Sequence, residues 1–321
     1  MKDRITGTRV RIGVSSCLLG EKVRYDGGHK RDGFLADILG RFVEYVPVCP
    51  EVEAGFGVPR EAMRLVGDST SPRLVTQKTK RDMTPQMRRW IDARLRDLAK
   101  QDLCGFVFKS RSPSSGMERV PIYDDSGMVR GRGAGLFARA FMDRFPLVPV
   151  EDEGRLNDIE IREHFIVRIF ACRRWRDLLE AKPGRAEIIE FHARHKYLLM
   201  AHHPRLLAEC GRLIAGVKGM KRDEFLGRYE SLFMEALRAR STVKKNVNVL
   251  QHMAGYFKDV IPNDERRELA EVIAQYGSGL IPLIVPVTLI RHFVRKYGVA
   301  YLADQYYLNP HPLELKLRNH A

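Results

Sequence analysis

The chain has 321 residues, 44% of them hydrophobic, which is more than one ordinary core takes up and points to two domains. The 55 lysines and arginines against 40 acidic residues leave a formal charge of +15, a field that attracts polyanions and makes nucleic acid a natural partner. No apolar run reaches the roughly 18 residues of a membrane helix, the start of the chain is polar and basic rather than signal-like, and five cysteines form no disulfide-like pattern, so a cytoplasmic setting is expected.

In chain order, residues 9–16 (RVRIGVSS), 42–49 (FVEYVPVC), 105–110 (GFVFKS) and 146–150 (PLVPV) are short β-branched or aromatic runs that stop at turn signals. They read as buried parallel strands. Between the second and third, residues 84–102 place Met87, Trp90, Ile91, Leu95 and Leu98 on one helical face. Alternating strand and helix predicts an α/β first domain over residues 1–150, a Rossmann-like three-layer parallel sheet. Functional residues of such sheets gather beyond the carboxyl ends of the strands, which would bring Cys17, Cys49 and the loop around Ser112 together. Residues 151–157 (EDEGRLN) suit a linker, and beyond them helical patterns dominate, among them 185–200, 205–217, 222–240 and 242–256. The expected second domain, residues 158–321, is all-α.

Cys17 ends the first strand, and Cys49 ends the second, followed by Pro50 and Glu51. Two thiols delivered to one crevice suit soft-metal ligation, and a carboxylate beside them suits proton transfer, although Glu51 also fits as a turn cap. The loop Lys109-Ser110-Arg111-Ser112-Pro113-Ser114-Ser115-Gly116 can cradle an anion with amides and hydroxyls, Lys109 and Arg111 adding charge. It lacks the Gly-Lys-Ser/Thr of a P-loop and so does not point to nucleoside triphosphate hydrolysis. In the second domain, Lys218, Lys221, Arg222, Lys244, Lys245, Arg291, Arg295 and Lys296 are candidates for phosphate contacts with RNA, with Tyr256, Tyr306 and Tyr307 as stacking platforms. Cys172 and Cys210 are expected in the core.

Taken in order, Cys17-Leu18-Leu19-Gly20, Tyr25-Asp26-Gly27-Gly28-His29, Cys49-Pro50-Glu51 and the serine-rich loop resemble the TudS-type thiouracil desulfidase domain, over residues 10–150. From residue 161 onward, the segments Lys196-Tyr197-Leu198-Leu199-Met200-Ala201-His202, Asn248-Val249-Leu250-Gln251-His252 and Asn309-Pro310-His311-Pro312 resemble the YbgA-like helical domain. The fusion resembles the RudS branch, which implies removal of sulfur from 4-thiouridine in tRNA. It also implies a 4Fe-4S cluster held by three cysteines with one iron open to the substrate's sulfur, with Cys17 and Cys49 as ligands, Glu51 as acid/base and Ser112 as the supporting hydroxyl. The pattern's remaining cysteine is replaced here by Ser115. Three outcomes stay open: Cys104 supplies the third thiolate, Ser115 ligates as an alkoxide, or the cluster is lost. The last would leave a cluster-free RNA-binding or regulatory protein on the desulfidase fold.

Overall fold

The computed structural model describes residues 9–216, 220–315, 317 and 318, and the chain divides into two compact units between Phe165 and Ile166. Strands among the described residues are β1 (Val10–Ser15), β2 (Val43–Val48), β3 (Met63–Val66), β4 (Arg73–Thr76), β5 (Phe106–Phe108), β6 (Val120–Tyr123), β7 (Val129–Gly133) and β8 (Val150–Asp152). The four apolar runs form the expected parallel sheet, in the order β2-β1-β5-β8. Its last strand starts at Val150 rather than at residue 146, because Pro146 and Pro149 have no N–H to give to a ladder.

Helices α1 (Pro50–Glu53), α2 (Thr84–Leu98) and α3 (Leu136–Arg144) complete the first unit. Met87, Ile91 and Leu98 of α2, with Phe137 and Phe141 of α3, pack on Phe106 and Phe108 to form the core on one face of the sheet. The opposite face is covered by the helical turn Phe34–Ile38, whose Leu35 carbonyl accepts the Tyr45 hydroxyl at 2.7 Å. The three layers follow from this. A second sheet, β4-β3-β6-β7, escaped the sequence reading: its strands are four or five residues long and interleave arginine, proline and glycine with the apolar positions.

The chain leaves β1 for β2 on one side and then crosses to β5 on the other. This puts the topological switch between β1 and β5, where open α/β sheets leave a crevice at their carboxyl edge.

Beyond β8 no strand occurs among the described residues. The helices are α4 (Ile159–Glu180), α5 (Arg185–His202), α6 (Pro204–Ala215), α7 (Arg222–Arg238), α8 (Val243–Ala254), α9 (Asn263–Gly277), α10 (Ile284–Tyr297) and α11 (Ala300–Ala303). Thr242 caps α8 by accepting the Lys245 N–H at 3.3 Å, and Gly298 ends α10 in the left-handed conformation at φ 67°. The second unit is centred on Trp175, fully buried, with ring centroids 5.3 Å from Phe191 and 5.1 Å from Tyr229. Trp175→Ala is expected to cost about 3–5 kcal/mol of unfolding free energy. Trp175→Phe should cost markedly less, since among the described residues the buried indole Nε1 makes no hydrogen bond that a phenyl ring would forfeit. Urea titrations of the two variants followed by circular dichroism check the order. Equal losses would mean that the indole nitrogen matters.

Candidate active site

At the carboxyl edge of the parallel sheet lies a cavity of about 450 Å³, lined by residues that follow β1 (Ser16, Cys17), β2 (Cys49, Glu51) and β5 (Ser112, Ser115). The gathering expected from the strand ends is therefore observed. Met63 of β3 and Gln77, just after β4, close the cavity from the second sheet.

Each segment is held by local chemistry. Cys17 sits in the single 3₁₀ turn Ser16–Leu19, its carbonyl accepting the N–H groups of Gly20 at 3.3 Å and Lys30 at 2.9 Å. Cys49 is the N-cap of α1; its N–H donates to Glu53 Oε1 at 2.9 Å, which satisfies this helix-start donor, and Pro50 follows in the first turn. In the serine loop, Ser112 Oγ accepts the N–H of Ser114 at 3.3 Å and of Ser115 at 3.1 Å. Glycine at two positions lets this loop sit where it does. A Cβ on Gly116 would lie 2.7 Å from the Ser112 carbonyl oxygen, and one on Gly135 would lie 2.5 Å from that of Ser114.

Glu51 is the hub. Its Oε1 accepts the Ser114 hydroxyl at 2.6 Å and the Ser112 hydroxyl at 3.4 Å, while Oε2 lies 3.8 Å from the Arg60 guanidinium and 3.7 Å from Cys49 Sγ. Arg60 is itself fixed by the Val23 and Gly57 carbonyls at 2.9 and 3.0 Å. Burial pushes the Cys17 thiol up to about 11, with Lys109 partly offsetting it. Burial and then the Glu51 charge push Cys49 up to about 12. Both are thiols at neutral pH until a metal displaces their protons.

Several expectations need correction. Cys104 does not reach the cavity. Its N–H donates to the Arg11 carbonyl at the beginning of β1, so it lies at the amino edge, whereas Cys17 lies beyond the carboxyl end of the same strand. The four steps from Arg11 to Ser15 alone span about 13 Å at roughly 3.3 Å per residue. Lys109 offers no uncompensated charge either: its ammonium pairs with the Glu153 carboxylate and Ser110. Burial opposes ionisation of Glu153, but Lys109 and the Ser110 N–H outweigh it and hold the carboxyl below its usual range.

In the second unit, Lys221, Arg222, Lys244 and Arg295 are exposed and Arg291 is half-buried; Lys218 lies outside the described residues. Lys245 is engaged with the His202 and Arg240 carbonyls, and Lys296 with Glu265 at 2.6 Å. Tyr307 is buried and donates to Asn246, and Tyr306 lies against the Arg174 and Arg194 guanidiniums, so neither is an open stacking platform. Tyr256 is exposed and stacks on Tyr301. Cys172 and Cys210 are buried as expected.

Sequence reasoning missed two residues of the site. Ser114, between the two serines it did weigh, makes the shortest bond to Glu51, and Arg60 carries no motif signal and is identified only by the fold.

Residues 12–153 match the family profile described as 2-thiouracil desulfurase, and they include every cavity segment. The chain carries a 2-thiouracil desulfurase domain. Residues 196–312 match a protein family of unknown function, DUF1722. The uncharacterised protein YbgA of Escherichia coli strain K12 is 29% identical over 155 residues, which is 48% of this chain and 92% of that protein. A solved structure of the [4Fe-4S]-dependent thiouracil desulfidase TudS is similar at 29% identity, over 47% of this chain and 95% of its own, with a TM-score of 0.38. In the desulfurase domain described here, Cys17 and Cys49 are two soft donors, and the third position of the motif is filled by the buried Ser115 hydroxyl, which lines the same cavity. The donor set therefore fits a cluster as two thiols and one hydroxyl. No helix among the described residues is long and apolar enough to cross a membrane.

Proposed function

We propose that the chain is an iron–sulfur desulfidase that converts thiolated uridine in tRNA, 4-thiouridine by motif resemblance, to uridine. The observation that carries this reading is the convergence of Cys17, Cys49, Glu51, Ser112 and Ser115 on one cavity in a desulfurase domain. The net reaction adds water and releases hydrogen sulfide, C=S becoming C=O, so it needs no oxidant or reductant. A cluster held by Cys17, Cys49 and Ser115 would supply a thiophilic Lewis acid for the departing sulfur.

The protein's own groups do the rest. Glu51 is oriented by two hydroxyls and Arg60, and its carboxylate takes the proton of the attacking water and returns one to the leaving sulfur. In the second unit, the exposed Lys221, Arg222, Lys244 and Arg295 supply phosphate contacts, and the Tyr256–Tyr301 stack offers a face to an unpaired base.

Anaerobically reconstituted protein is expected to release sulfide from 4-thiouridine-containing tRNA, and Cys17→Ala or Cys49→Ala to abolish the release. Release from tRNA falling steeply with salt, while release from free 4-thiouridine does not, is the expected mark of the phosphate contacts. Wild-type protein that binds tRNA but yields no sulfide would instead favour a cluster-free RNA-binding protein.

A further inference from the structure

We infer that Ser115 is the third protein ligand of the cluster, an oxygen donor where the motif has a thiolate. The inference rests on the cluster-dependent reading above. Among the described residues no group of three His, Cys, Asp or Glu side chains is placed to hold a metal ion, and Cys17 and Cys49 are the two thiols among the residues that line the cavity. Cys104 is removed by its place at the amino edge of the sheet.

Ser115 has what the position needs. It is 3% exposed and lines the cavity with both cysteines, and its backbone is pinned by the bond from its N–H to Ser112 Oγ. Ser114 Oγ, 3.4 Å away, is the Ser115 hydroxyl's one hydrogen-bond neighbour among the described residues. The single Ser114 proton goes to Glu51 at 2.6 Å, so Ser114 accepts from Ser115 rather than donating to it. The Ser115 proton is thereby directed at Ser114, and the Ser115 lone pairs are left for the cavity. The backbone on either side is fixed by the close approaches at Gly116 and Gly135, so the hydroxyl is presented without a loop rearrangement.

An oxygen ligand is harder than a thiolate and changes the electronics of the iron it binds, as imidazole does where it replaces thiolate in other clusters. The test is full-chain protein reconstituted anaerobically with ferrous iron and sulfide, in wild type, Ser115→Ala and Ser115→Cys. Bound iron is counted after gel filtration, and the cluster's reduction potential and paramagnetic resonance spectrum are recorded. The expected result is about four irons in wild type and Ser115→Cys, at least a twofold loss in Ser115→Ala, and a different potential and spectrum in Ser115→Cys.

Iron content, potential and spectrum unchanged in Ser115→Ala would overturn the assignment. So would iron bound by Ser115→Cys and not by wild type, which would mean that serine does not ligate. Iron in none of the three would remove the cluster-dependent reading itself. The melting midpoints of the three apo-proteins separate lost ligation from lost folding.

Discussion

Glu51→Gln is expected to lower kcat for sulfide release by about 10²–10⁴-fold, the range for loss of a positioned acid/base, with bound iron within a fifth or so of wild type. The substitution keeps the shape of the side chain. Glutamine's Oε1 still accepts from Ser114, so the serine loop should hold its geometry, whereas the ability to take and return a proton is lost. The neighbours predict a graded series. Ser114→Ala removes the 2.6 Å bond that aims the carboxylate, and Ser112→Ala removes a 3.4 Å one together with the acceptor for two loop N–H groups. Ser114→Ala should therefore lower kcat with the loop's N–H bonds to Ser112 kept, while Ser112→Ala should also loosen the loop and raise KM. Single-turnover measurements of sulfide release under anaerobic conditions separate these effects. A Glu51→Gln rate within tenfold of wild type would assign the proton transfers to another group and reduce Glu51 to a brace for the serine loop.

The parts of this site that could be read from sequence share one property: they sit at fixed offsets from a strand. Cys17 and Cys49 end β-branched runs, and a parallel sheet sends every strand's carboxyl end to the same edge, so their convergence follows from the pattern. The same rule, applied in full, excludes Cys104. A residue ahead of β5 belongs to the opposite edge, whatever the chemical appeal of a third thiol. Ser114 was invisible for a different reason. Three serines in four positions are chemically alike, and only the backbone turn decides which hydroxyl meets Glu51. Arg60 stands in the loop ahead of β3 of the β4-β3-β6-β7 sheet, whose short, arginine-interrupted strands give weak periodicity, and it is held there by the Val23 and Gly57 carbonyls. Helices of the second unit were legible to within a few residues because their apolar spacing runs over three turns or more. The charges on them were not, because whether a lysine faces solvent or a helix-end carbonyl, as Lys245 does, is a tertiary matter.

The second unit should lose stability steeply as pH falls from about 6.5 towards 4, before its carboxylates titrate. Burial, with Lys196 nearby, lowers His192 to about 4. Burial, then Arg318 and Arg174, lowers His311 to about 4. Burial, then Arg174 and Arg194, holds His195 well below its usual range despite the bond of its Nδ1 to the Phe191 carbonyl. The last case shows the cause at atomic level. With Nδ1–H donated to Phe191, Nε2 is the acceptor for Arg174 Nε at 3.1 Å, and a protonated ring could not accept. The sign follows from linkage. Above about 6.5 these rings are neutral in both states and their contribution is fully present; below it the unfolded chain takes up protons that the folded unit refuses, so unfolding gains ground until the folded values are reached. Each ring contributes a slope of about 1.4 kcal/mol per pH unit inside that window. His192 and His311 together should therefore lower the unfolding free energy by about 3 kcal/mol per unit, and His195 adds to it. Urea unfolding of a Trp90→Phe protein, in which Trp175 fluorescence reports the second unit alone, measures this at pH 7, 6 and 5. His311→Gln should reduce the slope by about one proton's worth. A free energy flat across that range would mean that the three rings are hydrated and titrate as they do in the unfolded chain.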